Sequence, residues 1–257
     1  MKNLSNKSTG AGPAVVFLHG FCESKEVWAS CHAQLSDKYT VISIDLCNDI
    51  QSESHAELSI ESMAEAVHST VLALGINQYL LIGHSMGGYV ALALAEKYPK
   101  ALSGLCLFHS TAYADSEEKK LQRNKTIAYL HEHGVEAFIK PFVPPLFYPQ
   151  NRKKCELAIN ELIEMGCKVP LPIIAACAAA MRDRPDRTIV LAEASYPVLF
   201  IIGKNDGAVK PEDVLAQAQL PAESYVQLLA ATAHQGIFEK EVETVAMLRA
   251  FVAIAFR

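Results

Sequence analysis

Six short apolar segments, interleaved with helix-like segments, constrain the fold of this chain most strongly. They occupy residues 14–18, 40–45, 79–82, 105–108, 198–202 and 225–229. Most of them are apolar at nearly every position, a pattern typical of strands buried on both faces of a parallel sheet. Because amphipathic helices lie between them, the sequence predicts an α/β fold with a mostly parallel, doubly wound sheet covered by helices.

One long block interrupts this alternation. Residues 112–194 contain no convincing strand and are mostly helix-forming, with a proline-rich stretch, KPFVPPLFYP, at 140–149. A helical excursion between two strands of a parallel sheet predicts an inserted cap, or lid. We therefore divide the chain into a core, residues 1–111 and 195–257, and a helical cap, residues 112–194.

Composition excludes several classes of protein. The chain has 257 residues, 51% of them apolar, and a formal net charge of −5, so it favours one globular domain with a large core and no nucleic-acid partner. Its seven cysteines include no CxxC pair, which favours free thiols in a reducing compartment. The first residues lack the apolar region of a signal peptide, and the apolar stretch 173–181 is too short to span a bilayer. We expect a cytoplasmic protein without a membrane partner.

The stretch LIGHSMGG, residues 81–88, places a serine at a strand end. Ser85 follows the strand 79–82 and precedes a helix, with Gly83 and Gly87 two residues away on either side. Glycines at these positions remove β-carbons that would clash in a sharp turn, as in the G-x-S-x-G nucleophile elbow. Taken alone, the residues also fit a serine N-cap on a glycine-flanked helix. In its strand–turn–helix context, Ser85 is the candidate nucleophile.

A serine nucleophile needs a base and an orienting carboxylate. His234 lies in AATAHQGIFEKE, just after the last strand, and Asp206 lies in the GKNDG loop after the strand before it. On its own, Asp206 is also a common turn former in Asn-Asp-Gly. The chain order serine, aspartate, histidine of this elbow selects Asp206 and His234. His109 ends another strand and is either a pocket residue or a structural histidine.

Acyl transfer also needs donors for the developing oxyanion. The residue after the nucleophile, Met86, supplies one backbone N–H, and the loop LHGFC after the first strand offers the N–H of Phe21 as the second. Loss of one such donor costs roughly 3 kcal/mol of transition-state stabilisation. Phe21 and Met86 are therefore the predicted oxyanion hole.

With these motifs in order, the chain resembles an α/β-hydrolase of the small esterase and lactonase type. The resemblance is carried by LHGF, GHSMGG, GKNDG, AHQGIFE and AMRDRPDRT, which span nearly the whole chain. It implies the Ser85–His234–Asp206 triad, the Phe21 and Met86 oxyanion hole, and a cap at 112–194. Two departures stand out. Only about a dozen residues precede the first strand, where relatives have a β-hairpin, so we expect a sheet shortened at that edge. The loop DLCNDIQSES, residues 45–54, lacks both glycines of the D-x-P-G-x-G-x-S pattern of relatives.

The expected reaction is hydrolysis of a small or medium carboxylic ester through an acyl-enzyme, without metal or organic cofactor. The expected partner is a small-molecule ester, and the expected state is a monomer or homodimer. Candidate pocket residues are His109, Phe142, Phe147 and Met181. The same triad also serves lactonases, C–C bond hydrolases, thioesterases and cofactor-free perhydrolases, and a non-catalytic ligand receptor on this fold is an alternative of another class. A haloalkane dehalogenase is disfavoured, because its nucleophile is a carboxylate and residue 85 is serine.

Overall fold

The computed structural model describes residues 3–46 and 58–257. Residues 1, 2 and 47–57 lie outside the described part, and with them Cys47 and most of the altered loop. Within the described part, seven strands form one sheet in the order β1-β3-β2-β4-β5-β6-β7. The strands are β1 Asn6–Thr9, β2 Ala14–Leu18, β3 Thr40–Ile44, β4 Tyr79–His84, β5 Leu102–Phe108, β6 Val198–Gly203 and β7 Ser224–Leu229. All neighbours pair in parallel except β1 and β3, which confirms the predicted mostly parallel α/β sheet.

The edge strand β1 was not visible in the sequence pattern. It reads NKST and is largely exposed, so it lacks the apolar signal of the buried strands. It pairs antiparallel with β3, Asn6 opposite Ile44. A single short strand thus stands at this edge, as expected from the few residues that precede β2.

Helices connect the strands and cover the sheet. In the described residues they are α1 Ala29–Leu35, α2 Ile60–Ala73, α3 Met86–Lys97, α4 Glu117–His133, α5 Val135–Phe142, α6 Glu156–Cys167, α7 Leu171–Asp183, α8 Thr188–Ala192, α9 Pro211–Gln217, α10 Gly236–Glu239 and α11 Glu241–Ala255. Helix α2 begins at a capping box in which Ser59 and Ser62 bond each other's backbone N–H groups. Its predicted apolar stripe is buried and packs against α3.

The order of the strands locates the site. From β2 the chain crosses to β3 on one side, and it returns to place β4 on the other side of β2. The loops after β2 and β4 therefore diverge and leave a crevice at the carboxyl ends of these strands, where ligands bind in such sheets. Every residue of β2 and β4 is buried, so these two strands form the buried base of the crevice.

Helices α4 to α8 form the insertion between β5 and β6, and no strand occurs among residues 112–194. The exact division at 112 and 194 stays a prediction. Helix α4 buries only Leu130 of its 17 residues, and it packs against α7, whose apolar side chains are mostly buried. The cap thus has the solvent-exposed helix α4 packed against the apolar helix α7.

Buried arginines tie this cap to the core. Arg184 donates to Asp115 at 2.7 Å and lies 3.8 Å over the ring of Tyr89 on α3. Arg187 bonds Glu61 on α2 and Glu96 on α3 at 2.6 and 3.0 Å. The AMRDRPDRT segment therefore anchors the cap through charge-assisted hydrogen bonds.

Candidate active site

The backbone at Ser85 is in a conformation that few L-residues adopt. Its φ is 50° and its ψ is −114°, between the end of β4 and the start of α3. A β-carbon on Gly83 would lie 2.4 Å from the carbonyl oxygen of Gly87, and one on Gly87 would lie 2.5 Å from that of Leu18. Only glycine fits at either position, so the serine hydroxyl is held above the sheet by a turn that no other residues permit.

The structure brings the three predicted triad residues together. His234 Nε2 lies 2.9 Å from the Ser85 hydroxyl, and His234 Nδ1 lies 2.8 Å from Asp206 Oδ2. The other carboxylate oxygen of Asp206 accepts the N–H groups of Ala208 and Val209 at 2.8 and 3.0 Å. This geometry gives the imidazole a proton on Nδ1 and leaves Nε2 free to accept the serine proton.

The electrostatics keep the aspartate charged. Burial opposes the charged form of Asp206, but the charges and hydrogen bonds of His234 and His109 outweigh it and hold the pKa of Asp206 well below its usual range. The carboxylate is therefore charged at neutral pH and available to orient the imidazole.

The predicted oxyanion donors belong to two neighbouring loops. Met86 is the first residue of α3, where a backbone N–H has no acceptor within the helix. Phe21 follows β2, and its ring packs edge-to-face on Phe138 and Phe142 of α5, with centroids 6.4 and 5.9 Å apart. Phe21 and Met86 line the same cavity, which lies between these two loops and the cap.

Sequence reasoning missed a buried ion pair behind the site. His84 Nδ1 lies 2.9 Å from Glu23 Oε2 and His84 Nε2 lies 3.0 Å from the carbonyl oxygen of His234. Both ring nitrogens face acceptors, so His84 donates from both and is an imidazolium. The Glu23 carboxylate also accepts the N–H of Gly20 at 2.7 Å and the side-chain amide of Gln235 at 2.9 Å.

This pair shifts the pKa of both partners. Burial disfavours both charges, but the attraction and hydrogen bonds between them prevail: the pKa of Glu23 falls to about 2, and that of His84 rises. The Glu23 carboxylate thereby holds together the loop after β2, the start of the nucleophile elbow and the loop that carries His234. The only sequence signal for it was a glutamate close behind LHGF, which is uninformative until its burial is known.

His109 lies beside Asp206 and is not among the residues that line the cavity. Its Nδ1 is 3.2 Å from Asp206 Oδ2, and its Nε2 accepts the N–H of Gly236 at 3.3 Å. Burial lowers its pKa to about 4 despite the hydrogen bond to Asp206. Of the two interpretations left open by the sequence, the geometry favours the structural histidine.

The other three candidate pocket residues also lie elsewhere. Phe142 lines a groove on the cap together with Phe138. Phe147 is fully buried and packs toward Phe238, with ring centroids 6.3 Å apart. Met181 is buried in α7. These residues were predicted as large apolar side chains of the cap, and the structure packs Phe142 against Phe21 and Phe147 toward Phe238.

Hydrogen bonds connect the cap directly to the loop that carries His234. The N–H of His234 donates to the carbonyl oxygen of Leu146 at 2.9 Å. The buried carboxylate of Glu239 accepts the N–H of Ala233 at 2.9 Å, the N–H of Tyr148 at 2.9 Å and the side-chain amide of Asn151 at 2.8 Å. The position of the catalytic imidazole therefore depends on this base of the cap.

Two further features bear on what the site can bind. His109, Asp206 and His234 place ligand-type atoms within 4.8 Å of one another, but the hydrogen bonds described above engage all three side chains with one another.

Across residues 3–46 and 58–257, no single helix is long and apolar enough to cross a membrane. The helices Glu156–Cys167 and Leu171–Asp183 reach that length and composition only when taken together, and they meet at a bend of 101°.

Comparison with known proteins identifies the family. The family model of the alpha/beta hydrolase fold matches residues 13–146, slightly more than half of the chain, and the chain belongs to this family. A solved thermophilic esterase from Thermogutta terrifontis is 28% identical, with a TM-score of 0.92 over 98% of this chain and 93% of that one. The 2-succinyl-6-hydroxy-2,4-cyclohexadiene-1-carboxylate synthase of Enterobacter sp. is 24% identical over 80% of this chain and 84% of that protein. An uncharacterized Mycobacterium bovis protein is 33% identical over 99 residues, and this chain spans only 29% of its length.

Proposed function

We propose that this protein is a serine hydrolase that cleaves a small or medium carboxylic ester through an acyl-enzyme. The observation that carries the proposal is the continuous hydrogen-bonded series from Ser85 through His234 to Asp206, with 2.9 and 2.8 Å between the bonded atoms. The similarity to the Thermogutta terrifontis esterase supports ester hydrolysis.

In the first half of the reaction, His234 Nε2 takes the proton of Ser85 as Oγ attacks the ester carbonyl carbon. The carbonyl oxygen gains the negative charge, which the N–H groups of Met86 and Phe21 stabilise. His234 then gives its proton to the leaving alkoxide, the carbon–oxygen bond to the alcohol breaks, and the acyl group stays on Ser85. Asp206 stabilises the imidazolium that forms in between.

In the second half, water enters where the alcohol left. His234 takes one proton from the water, whose oxygen attacks the acyl carbon, and the same two N–H groups hold the second oxyanion. The bond to Oγ breaks as His234 returns the proton to Ser85. The products are one carboxylic acid and one alcohol, and the residues of the site supply every proton transfer.

The partner in this proposal is a small-molecule ester, and we propose a monomer or homodimer in the cytoplasm without nucleic-acid or membrane partners. Lactones, thioesters and activated C–C bonds are substrates to which the same triad applies. Proteins similar to this chain include an enol-lactonase and a synthase, so a substrate screen must include these bond types.

The test is hydrolysis of p-nitrophenyl acetate by the wild type and by Ser85→Ala. We expect turnover in the wild type and a loss of at least 10³-fold in the variant, because only the proposed nucleophile has been removed. A matched control is Ser116→Ala, which removes the same oxygen from the start of α4 and should keep the activity. Absence of turnover together with absence of fluorophosphonate labelling at Ser85 would refute the proposal and favour a binding protein.

A further inference from the structure

His109 follows β5 directly, in a backbone conformation that few non-glycine residues adopt. Its φ is 47°, in the left-handed region, while its N–H still bonds the carbonyl oxygen of Ile201 on β6 at 2.9 Å. Such a conformation costs free energy, so it persists only where the surrounding structure holds it in place. The strained backbone brings the buried ring to the triad carboxylate, with Nδ1 3.2 Å from Asp206 Oδ2.

The neighbouring loops are shaped around this imidazole. A β-carbon on Gly236, two residues after His234, would lie 2.5 Å from His109 Nε2, and one on Gly203, at the end of β6, would lie 2.8 Å from His109 Cε1. The N–H groups of both glycines point at ring nitrogens: that of Gly236 at Nε2, 3.3 Å away, and that of Gly203 at Nδ1, 3.1 Å away. The ring therefore fills a close-fitting slot between the two loops that carry Asp206 and His234.

The groups around His109 decide which ring nitrogen carries its proton. Burial lowers the pKa of His109 to about 4, so the ring is neutral at pH 7 and has one N–H group. With the proton on Nδ1, the ring donates to the Asp206 carboxylate, its Nε2 accepts the N–H of Gly236, and one backbone N–H lacks a ring partner. With the proton on Nε2, a lone pair faces the carboxylate and two N–H groups meet at 3.3 Å. The proton therefore lies on Nδ1, where its hydrogen bond has a charged acceptor.

This bond completes the hydrogen bonding of the Asp206 carboxylate. Oδ1 accepts the N–H groups of Ala208 and Val209. Oδ2 accepts Nδ1–H of His234 at 2.8 Å and Nδ1–H of His109 at 3.2 Å. Because a carboxylate has about four lone-pair sites, every one of them is occupied. The carboxylate can rotate or shift only with the loss of a buried hydrogen bond, which is costly.

We propose that His109 is a positioning residue of the triad, whose Nδ1–H fixes Asp206 Oδ2 at the point from which that oxygen orients His234. This role rests on the proposed function, because it concerns the same triad, and it adds a fourth residue to that site. His109 acts through Asp206. Without its N–H, one lone pair of Oδ2 is unpaired, and the carboxylate recovers a full set of donors only by moving away from its place beside His234.

The kinetic test compares two replacements of the same branched shape. His109→Asn keeps an N–H donor near the position of Nδ1 and tolerates a positive φ, whereas His109→Leu has no donor. Both remove the acceptor of the Gly236 N–H. With p-nitrophenyl acetate, we expect kcat of His109→Leu to fall about 10- to 100-fold with KM changed by less than about twofold, and kcat of His109→Asn to stay within about threefold of the wild type.

His32→Leu is the control for loss of a buried histidine. His32 is buried like His109, and its ring bonds Thr9 and Ser43 at the β1–β3 edge of the sheet. Urea unfolding should show His32→Leu to be destabilised while its kcat is unchanged. The inference is overturned if His109→Leu keeps the wild-type kcat, if His109→Asn loses as much activity as His109→Leu, or if His32→Leu lowers kcat as much as His109→Leu does.

The position of the proton is tested without any substrate. Long-range proton–nitrogen correlation spectra of isotope-labelled protein at neutral pH distinguish a histidine protonated on Nδ1 from one protonated on Nε2. We expect two rings with Nδ1–H groups and downfield proton resonances, of which one disappears in His109→Asn and the other in His234→Ala. A proton on Nε2 of His109 in the wild type would overturn the proposal.

Failure of the proposed function is a distinct result. If the wild type hydrolyses no ester, the downfield resonance of His234 Nδ1–H still reports how Asp206 holds that ring. This resonance should shift in His109→Leu and keep its wild-type position in His109→Asn and in His32→Leu. An unchanged resonance in His109→Leu would show that His109 does not position the aspartate, whether or not the protein is an esterase.

Discussion

Replacement of Glu23 by glutamine tests how much the buried ion pair behind the active site contributes to stability. Glu23 and its partner His84 are each almost completely buried, and the carboxylate accepts hydrogen bonds from three loops. Glu23→Gln keeps the size and shape of the side chain. It removes the negative charge and leaves the imidazolium of His84 without its counter-ion.

The magnitude follows from the pKa of the carboxyl group. The pKa of Glu23 falls from 4.5 to about 2 on folding, and at 1.36 kcal/mol for each unit this corresponds to about 3 kcal/mol of stability at neutral pH. Removal of one partner of a buried ion pair costs about 3–5 kcal/mol in other proteins. We therefore expect Glu23→Gln to lower the free energy of unfolding by about 3 kcal/mol at pH 7.

The sign of the pH dependence makes the prediction specific. Because the pKa is lower in the folded state, the contribution of Glu23 is complete above pH 4.5 and is lost as the pH falls toward 2. Urea unfolding at pH 7, 5 and 3.5 should show the wild type and Glu23→Gln converging as the pH falls. The exposed Glu26, three residues away, gives the control Glu26→Gln, with a change of less than about 0.5 kcal/mol. A constant difference between wild type and Glu23→Gln at all three pH values would refute the reasoning.

Three further substitutions test the geometry of the site. Asp206→Asn should lower kcat for p-nitrophenyl acetate about 10⁴-fold with an unchanged circular dichroism spectrum, because the imidazole loses its orienting charge; a loss below tenfold would contradict the triad. Gly87→Ala should destabilise the protein by about 1–3 kcal/mol in urea and lower kcat, since the new β-carbon would lie 2.5 Å from the carbonyl oxygen of Leu18; wild-type stability and activity would show that the elbow tolerates a side chain. Glu239→Gln should lower the free energy of unfolding by about 2–3 kcal/mol, because the carboxylate accepts three hydrogen bonds from the cap and the His234 loop. It should also lower kcat more than it raises KM. An unchanged kcat would show that these hydrogen bonds are not needed to position His234.

The sequence predicted the sheet and the positions of the triad residues because both leave local signals. Buried parallel strands require apolar side chains on both faces, and each such segment found in the sequence is a strand in the structure, although β7 at the sheet edge is largely exposed. An elbow this tight excludes a β-carbon at Gly83 and Gly87, so its glycines were visible in the sequence. The edge strand β1 left no such signal because its residues are polar and largely exposed to water.

The pocket could not be predicted in the same way. Phe142 and Phe147 were chosen as aromatic residues of the cap, and the structure packs them against Phe21 and toward Phe238. The residues that roof the cavity, Ile173 and Ile174 among them, are ordinary aliphatic members of a helix. An aliphatic side chain has the same sequence pattern whether it faces a core or a substrate.

The sequence by itself therefore determined the fold class and the order of serine, aspartate and histidine along it, because hydrophobic periodicity and the sterics of a tight turn act over a few residues. Only the tertiary structure decided that Glu23 and His84 form a buried ion pair, that His109 bonds Asp206, and which side chains close the cavity. The two residue pairs are 61 and 97 positions apart in the chain. Their charge states and contacts depend on burial, which exists only once the sheet, the loops and the cap have packed together.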